Sequence, residues 1–182
     1  RFIAAARAGP QWEDVIEPAM LRCLDGAARL PGKTILLVDV SGSMDATISQ
    51  KSDLHRLDAA CGLAILLREV CAEVAIATFS NAFVAVPPRR GFALRDAIVG
   101  SQQHSGTYLG KAVTAIAAMP RDRIIVITDE QSADIVPQPQ GKGYMLNVAS
   151  AKNGVGYGAW THIDGWSESV VDYIVELEGT PQ

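Results

Sequence analysis

Short apolar runs alternate with amphipathic segments along most of the chain. Continuous apolar runs predict strands buried on both faces, as in the centre of a parallel sheet. The predicted parallel strands cover residues 35–40, 74–79, 123–128, 144–148 and 155–160. Residues 83–86 are predicted as a short antiparallel return strand at an edge, because Ser80-Asn81 is a turn signal and Pro87-Pro88 follows.

Segments with helical spacing of apolar residues separate these runs. We predict helices over residues 52–70, 92–99, 107–119 and 167–177, with Ser52 or Asp53 capping the first. Strands joined through helices require crossover connections. The pattern therefore predicts an α/β fold: a Rossmann-like, open, mostly parallel sheet with one antiparallel edge strand and helices on both faces. Residues 1–32 are predicted as a peripheral helical lead-in, and residues 33–182 as the α/β domain.

Composition narrows the class of protein. The chain has 182 residues, a hydrophobic fraction of 48% and a formal net charge of −4, which fits one globular domain. Phosphate binding needs a basic surface, so this domain by itself is a poor partner for nucleic acid. No stretch approaches the ~20 apolar residues that span a bilayer, and we expect no membrane contact.

Three cysteines without CxxC spacing favour neither a disulfide framework nor a zinc site. We interpret Cys61 and Cys71 as buried apolar residues of a reducing compartment, and we expect a cytoplasmic location. The chain starts at Arg1 rather than Met, which we interpret as the cut end of a longer polypeptide.

Oxygen-bearing side chains cluster where the predicted strands end. Asp39, Ser41 and Ser43 follow the first strand, and Asp129 follows the third buried strand. Thr107 stands where a predicted helix begins. Ligands of open α/β sheets bind at the carboxyl ends of the strands, and hard oxygens suit Mg²⁺, Ca²⁺ or Mn²⁺. These residues therefore predict a divalent-cation site.

The same residues carry a family resemblance. Asp39-x-Ser41-x-Ser43, Gly106-Thr107 and Thr128-Asp129 resemble the metal-ion-dependent adhesion site of the von Willebrand factor A domain, and the order of elements matches as well. The resemblance covers residues 33–177. It implies that Ser41, Ser43 and Thr107 contribute hydroxyls, and that Asp39 and Asp129 contact the metal, Mg²⁺ in the first place, directly or through water. Tyr108, which is bulky, is a departure that would narrow access to the metal.

The chain is also similar to the C-terminal part of bacterial Ro ribonucleoproteins. The matching stretches are residues 11–14, 19–24, 144–149, 153–158 and 160–167. In that family a ring of helical repeats, the TROVE module, binds Y RNA and the ends of misfolded noncoding RNAs, and an A domain follows it. The resemblance implies that RNA is held by a module absent from this chain, so no RNA-contacting residue is assigned here.

Three functional readings stay open. The one we favour is a non-catalytic binding domain whose metal keeps one coordination position for an acidic group, from a partner protein or from elsewhere in the parent molecule. The second is a structural closure for the RNA-binding ring with a vestigial metal site. The third, a magnesium-dependent phosphohydrolase, needs an acidic residue where Ser41 stands and a general base that the sequence does not offer.

Overall fold

One mixed sheet organises the molecule. The computed structural model describes residues 1–149, 154, 157–167 and 169–179. The strands of this part of the chain are β1 (Leu30–Asp39), β2 (Cys71–Phe79), β3 (Phe83–Ala85), β4 (Arg123–Thr128), β5 (Lys142–Asn147) and β6 (Thr161–Asp164). They lie in the order β3-β2-β1-β4-β5-β6. Only the β2–β3 pair among them is antiparallel, which confirms the predicted mostly parallel sheet with an antiparallel edge strand.

Helices cover both faces of the sheet, as predicted. They are α1 (Phe2–Ala8), α2 (Glu13–Arg22), α3 (Arg56–Val70), α4 (Gly91–Val99), α5 (Leu109–Ala115) and α6 (Ser169–Gly179). Alternate residues of a strand face opposite sides. Leu36 and Val38 accordingly join the core that contains α3, α4 and α6, whereas Ile35 and Leu37 pack on the core that contains α5.

Two predicted helices have different bounds in the structure. Helix α3 begins at Arg56 rather than near Ser52, because the His55 N–H donates to Asp58 Oδ2 at 2.8 Å and closes the first turn there. Helix α5 is shorter than the predicted 107–119. The N–H of Tyr108, the residue before its start, donates to the Ser80 carbonyl at 3.0 Å, and Arg121 caps its end by donating to the Ile116 carbonyl at 2.7 Å.

The predicted strand over residues 155–160 is wrong where it can be compared. Residues 155 and 156 lie outside the described part of the chain, and 157–160 are not strand. The Gln138 side chain donates to the Tyr157 carbonyl at 2.8 Å and accepts from the Ala159 N–H at 2.7 Å. These backbone groups therefore bond to a side chain instead of to β5, and the neighbouring strand is β6.

Chain order reverses at β1. Its neighbours are β2 on one side and β4 on the other. The chain therefore adds β2 and β3 on one side of β1, and then crosses over to add β4, β5 and β6 on the other side. Such a switch point opens a crevice at the carboxyl ends of the strands. Asp39 is the last residue of β1, and Asp129 directly follows β4. Both predicted carboxylates therefore reach the same crevice.

Within the described residues, no helix has the length and apolar character that a membrane crossing requires.

Candidate metal centre at the sheet edge

Asp39 occupies the middle of the crevice and is wholly buried. Its Oδ1 accepts a hydrogen bond from the Ser41 backbone N–H at 2.8 Å. Its Oδ2 accepts from the Thr128 hydroxyl at 2.7 Å, across from the end of β4. These two bonds fix the carboxyl group between β1 and β4 and start the turn that follows β1.

The two serines of the turn lie side by side. The Oγ atoms of Ser41 and Ser43 are 3.1 Å apart, and Ser41 is buried while Ser43 is half-buried. A short 3₁₀ turn, Gly42–Asp45, carries them, and the wholly buried Met44 anchors that turn in the core. The Ser41 hydroxyl hydrogen-bonds Asp39, and the Ser43 hydroxyl lies next to that of Ser41. The role of the two serines as metal ligands stays a prediction.

Asp129 is buried at the same edge and has an arginine as partner. Arg56 Nη1 donates to Asp129 Oδ2 at 2.8 Å and reaches the Ser43 carbonyl at 3.4 Å. This guanidinium therefore links the serine turn to the end of β4. Sequence reasoning did not assign Arg56 to the site, because its contact with Asp129, 73 residues further along the chain, has no local sequence signal.

Burial and a neighbouring carboxylate make Asp39 a weaker acid than usual. Burial raises the pKa of Asp39 to about 7, hydrogen bonds from Ser41 and Thr128 oppose the rise, and the nearby Asp129 carboxylate adds to it. The interaction places the two carboxylates close enough to repel each other. A cation between them would offset both their mutual repulsion and the cost of burying their negative charge.

Thr107 lies half-buried in the loop ahead of α5, and two backbone hydrogen bonds tie this loop to both sides of the crevice. The Thr107 carbonyl accepts from the Ala133 N–H at 2.7 Å, which ties the loop to the segment after Asp129. Within the same loop, the Ser105 carbonyl accepts from the Gly42 N–H at 2.9 Å, which ties it to the serine turn. The backbone of Thr107 is thus held between the two halves of the candidate site, and its role as a ligand stays a prediction.

Tyr108, the bulky neighbour, has partners of its own. The Lys111 ammonium lies 4.0 Å from the centroid of the Tyr108 ring. The ring also lies against Gly106, where an added Cβ would come within 3.1 Å of it and within 2.6 Å of the Asn81 side-chain oxygen. Gly106 therefore allows the loop, the ring and Asn81 to pack closely, and a side chain at this position would force them apart.

Glu130 turns away from the neighbouring Asp129. Its φ of 59° lies in the left-handed region, which is uncommon for a residue with a side chain. The buried carboxylate meets His162 of β6, with Oε1 2.6 Å from Nδ1. Two consecutive acidic residues thus serve different neighbours, since Asp129 faces Arg56 and Glu130 faces His162.

The donor set fits a hard divalent cation. Carboxylates and hydroxyls are the protein ligands that Mg²⁺, Ca²⁺ and Mn²⁺ accept, and burial disfavours the charged form of Asp39. Among the described residues, no three His, Cys, Asp or Glu side chains gather as a metal cluster. A cation at this edge would therefore depend on the serine and threonine oxygens as well as on the two aspartates.

Fold and sequence define the class of protein. Residues 34–131 match the family model described as the von Willebrand factor type A domain, and the chain belongs to that family. No curated protein matches the chain.

The fold is shared with solved structures, including the following two. One is the Ro (RSR) protein of Deinococcus radiodurans, with a TM-score of 0.69, 16% identity and 85% of this chain covered. The other is an aerotolerance-related membrane protein of Bacteroides fragilis, with a TM-score of 0.54, 13% identity and 80% of this chain covered. This chain spans 35% of the length of the Ro structure and 98% of the other. At such identities the likeness concerns the fold.

Proposed function

We propose that this domain is a non-catalytic module that binds an acidic group in a divalent-cation-dependent manner. Asp39, Ser41, Ser43, Thr107 and Asp129 would hold the ion, Mg²⁺ in the first place and Ca²⁺ or Mn²⁺ as alternatives. The observation that carries the proposal is the wholly buried Asp39 carboxyl group beside Asp129 and two adjoining serine hydroxyls. A bound cation supplies Lewis acidity for an incoming Asp or Glu side chain.

This chain's own residues perform the remaining tasks. The bonds to Ser41 and Thr128 hold the Asp39 carboxyl group in place before any ligand arrives. The loop around Thr107 is tied to both sides of the crevice by backbone hydrogen bonds. Preorganised oxygens cost little entropy on binding, which favours recognition of a single carboxylate.

We also propose that the domain serves a Ro-like RNA-binding protein that acts on Y RNA and misfolded noncoding RNA. The fold likeness to the Deinococcus Ro protein supports this proposal, together with the sequence stretches named above. RNA would be held by the helical-repeat module outside this chain, because the domain has a net charge of −4 and its basic residues are scattered along the sequence. The metal site would recruit a protein partner or an acidic side chain of the parent molecule.

One observation favours a second candidate, a structural domain with a vestigial site. The Arg56 guanidinium already supplies positive charge to Asp129 at 2.8 Å. If that charge is sufficient, the crevice needs no metal, and the domain would act as a closure for the neighbouring module.

Calorimetric titration with Mg²⁺ tests the main proposal. We expect the wild-type domain to bind one ion, and Asp39→Asn to bind it at least about tenfold more weakly, since a charged ligand is lost. Asp172→Asn is the matched control, because it removes an exposed carboxylate on α6 and should bind like wild type. Equal binding by wild type and Asp39→Asn would refute the metal site.

The Thr107 hydroxyl has its own pair of variants. Thr107→Val keeps the shape of the side chain and removes the hydroxyl, so Mg²⁺ binding should weaken severalfold. Thr107→Ser keeps the hydroxyl and should bind like wild type. Equal affinities for the two variants would remove Thr107 from the ligand set without touching the aspartates.

Partner recruitment is tested in the full-length parent protein. We expect a chelator to release the partner from the wild-type protein, and Asp39→Asn to recover none with or without the chelator. Unchanged recovery from a folded Asp39→Asn protein would favour the structural role instead. RNA binding by the parent should survive the substitution in either case.

A further inference from the structure

Arg56 lies at the first position of α3 and reaches into the crevice. Its backbone N–H donates to the Ala46 carbonyl at 2.9 Å, so the start of the helix is fastened to the segment after the serine turn. From this fixed origin the side chain runs to Asp129, where Nη1 lies 2.8 Å from Oδ2, and the same nitrogen faces the Ser43 carbonyl at 3.4 Å. The guanidinium thus stands between two of the residues proposed to surround the metal.

The guanidinium is bonded less completely than a structural arginine would be. Its Nε is buried, and no hydrogen-bond partner for this atom is found among the described residues. Arginine offers five donors in a rigid fork, and carboxylate pairs that stabilise a fold commonly use two of them in parallel. Here a single nitrogen, Nη1, makes both the contact with Asp129 and the contact with the Ser43 carbonyl, and the longer of the two is weak. Releasing this side chain therefore breaks one strong contact.

A divalent ion and Arg56 would compete for the same oxygen. A cation held by Asp39 and Asp129 draws on the negative charge that Arg56 neutralises, and two positive charges a few ångströms apart in a partly buried crevice repel each other. Such a crevice cannot accommodate both at full strength, so the arginine must withdraw from Asp129 or weaken the binding of the metal.

The geometry points to Arg56 as a built-in counter-ion that holds Asp129 in the metal-free protein and lowers the affinity of the crevice for divalent cations. The inference rests on the proposed metal site and deepens it. Without metal, the guanidinium keeps Asp129 neutralised and the serine turn in place. With metal, the arginine is displaced, so the ion concentration needed for binding is higher than the oxygen ligands alone would require.

Calorimetry with Mg²⁺, using three single variants, tests this role. Arg56→Met keeps an apolar stem and removes the charge, and we expect it to bind Mg²⁺ about tenfold more tightly than wild type. Arg56→Lys keeps the charge and should stay close to wild type. Arg89→Met, which removes an exposed positive charge between β3 and α4, is the control for a change of net charge and should also resemble wild type.

Thermal unfolding supplies a second readout. In the presence of a chelator, Arg56→Met should unfold at a lower temperature than wild type, because Asp129 is then buried without its counter-ion. Saturating Mg²⁺ should bring the unfolding temperature of Arg56→Met most of the way back to that of wild type. The wild-type protein should gain less from Mg²⁺, since its arginine already neutralises the site.

The two proposals fail in distinguishable ways. Mg²⁺ binding by wild type and its loss in Asp39→Asn, together with unchanged or weaker binding in a folded Arg56→Met, would overturn the counter-ion role alone. No binding by either wild type or Arg56→Met would overturn the metal site and this inference together. Binding by Arg56→Met but not by wild type would support the inference in its strongest form.

Discussion

The two ends of β4 each carry a partly buried arginine–carboxylate pair, and the pairs are built differently. At the amino end, Arg123 bonds Glu178 through two parallel contacts of 2.7 and 2.6 Å and also donates to the Thr34 hydroxyl at 2.9 Å. At the carboxyl end, Arg56 bonds Asp129 through one nitrogen. The first pair is saturated with partners, whereas the second leaves donor capacity of the arginine unused.

The acidity of the carboxyl groups follows the same division. Burial acts to raise the pKa of Glu178, but hydrogen bonds from Arg123, Lys142 and Tyr144 outweigh it and hold that pKa below its ordinary value. At the other end of β4 the shifted group is Asp39, the carboxyl group beside the Arg56–Asp129 pair. Burial dominates there and raises the pKa of Asp39 to about 7. The charged form of Glu178 is stabilised by its neighbours, so this carboxylate contributes to the framework of the fold. The charged form of Asp39 is destabilised by burial, so a bound cation would stabilise it.

Removing the arginine at the saturated end should have the largest effect on stability. Arg123→Met leaves the Glu178 carboxylate largely buried without its main partner, and we expect the free energy of unfolding to fall by about 3 kcal/mol or more. Urea unfolding at neutral pH measures the change. Mg²⁺ binding by the folded variant should match wild type, because Arg123 lies at the far end of β4. A loss below about 1 kcal/mol would contradict the distinction between the two ends.

The pH dependence of stability should identify the unsatisfied end. The pKa of Asp39 is about 7 in the folded state against an ordinary value of 3.8, so between these values the folded protein keeps a proton that the unfolded chain has lost. Stability without metal should therefore fall as pH rises through this window, by up to about 1.4 kcal/mol per unit, and level off above the folded pKa.

Asp39→Asn should abolish that slope. Urea unfolding with a chelator present, repeated between about pH 5 and pH 8, compares it with wild type and with the exposed control Asp172→Asn. Glu178 has the opposite sign, because its pKa is lowered: its contribution is present above the ordinary value of 4.5 and is lost as pH falls through the folded value. It therefore does not obscure the window assigned to Asp39. An identical slope in wild type and Asp39→Asn would place the responsible group elsewhere.

The carboxylates of the crevice could be predicted from the sequence because their placement depends on local patterns. An apolar run that ends in Asp39 and another that ends before Asp129 suffice once the strands are parallel neighbours. Arg56 could not be found this way. Its partner is 73 residues further along the chain, and the contact depends on how the first turn of α3 faces β4. That orientation follows from packing, which leaves no local sequence signature.

The wrong strand prediction has a similar cause. Residues 155–160 include Val, Tyr and Trp, which favour strands, but residue types alone do not show where their backbone groups bond. The Gln138 side chain takes the Tyr157 carbonyl and the Ala159 N–H, at sequence separations of 19 and 21 residues. Trp160 then packs into the core and donates its indole N–H to the Pro137 carbonyl at 2.9 Å. A long-range side-chain contact thus replaced a backbone pairing that the pattern favoured.

The smallest expected effect tests whether the saturated end depends on its arginine in particular. Lys142 Nζ lies 3.2 Å from Glu178 Oε2, but its side chain is about half exposed, at 49%. Solvent screens such a pair, so Lys142→Met should lower the free energy of unfolding by less than about 1 kcal/mol, against about 3 for Arg123→Met in the same urea experiment. The two variants remove one positive charge each from the same carboxylate, so the difference between them measures burial and bidentate geometry rather than net charge. Equal losses would mean that charge alone stabilises Glu178, and the contrast with the single contact between Arg56 and Asp129 would then lose its physical basis.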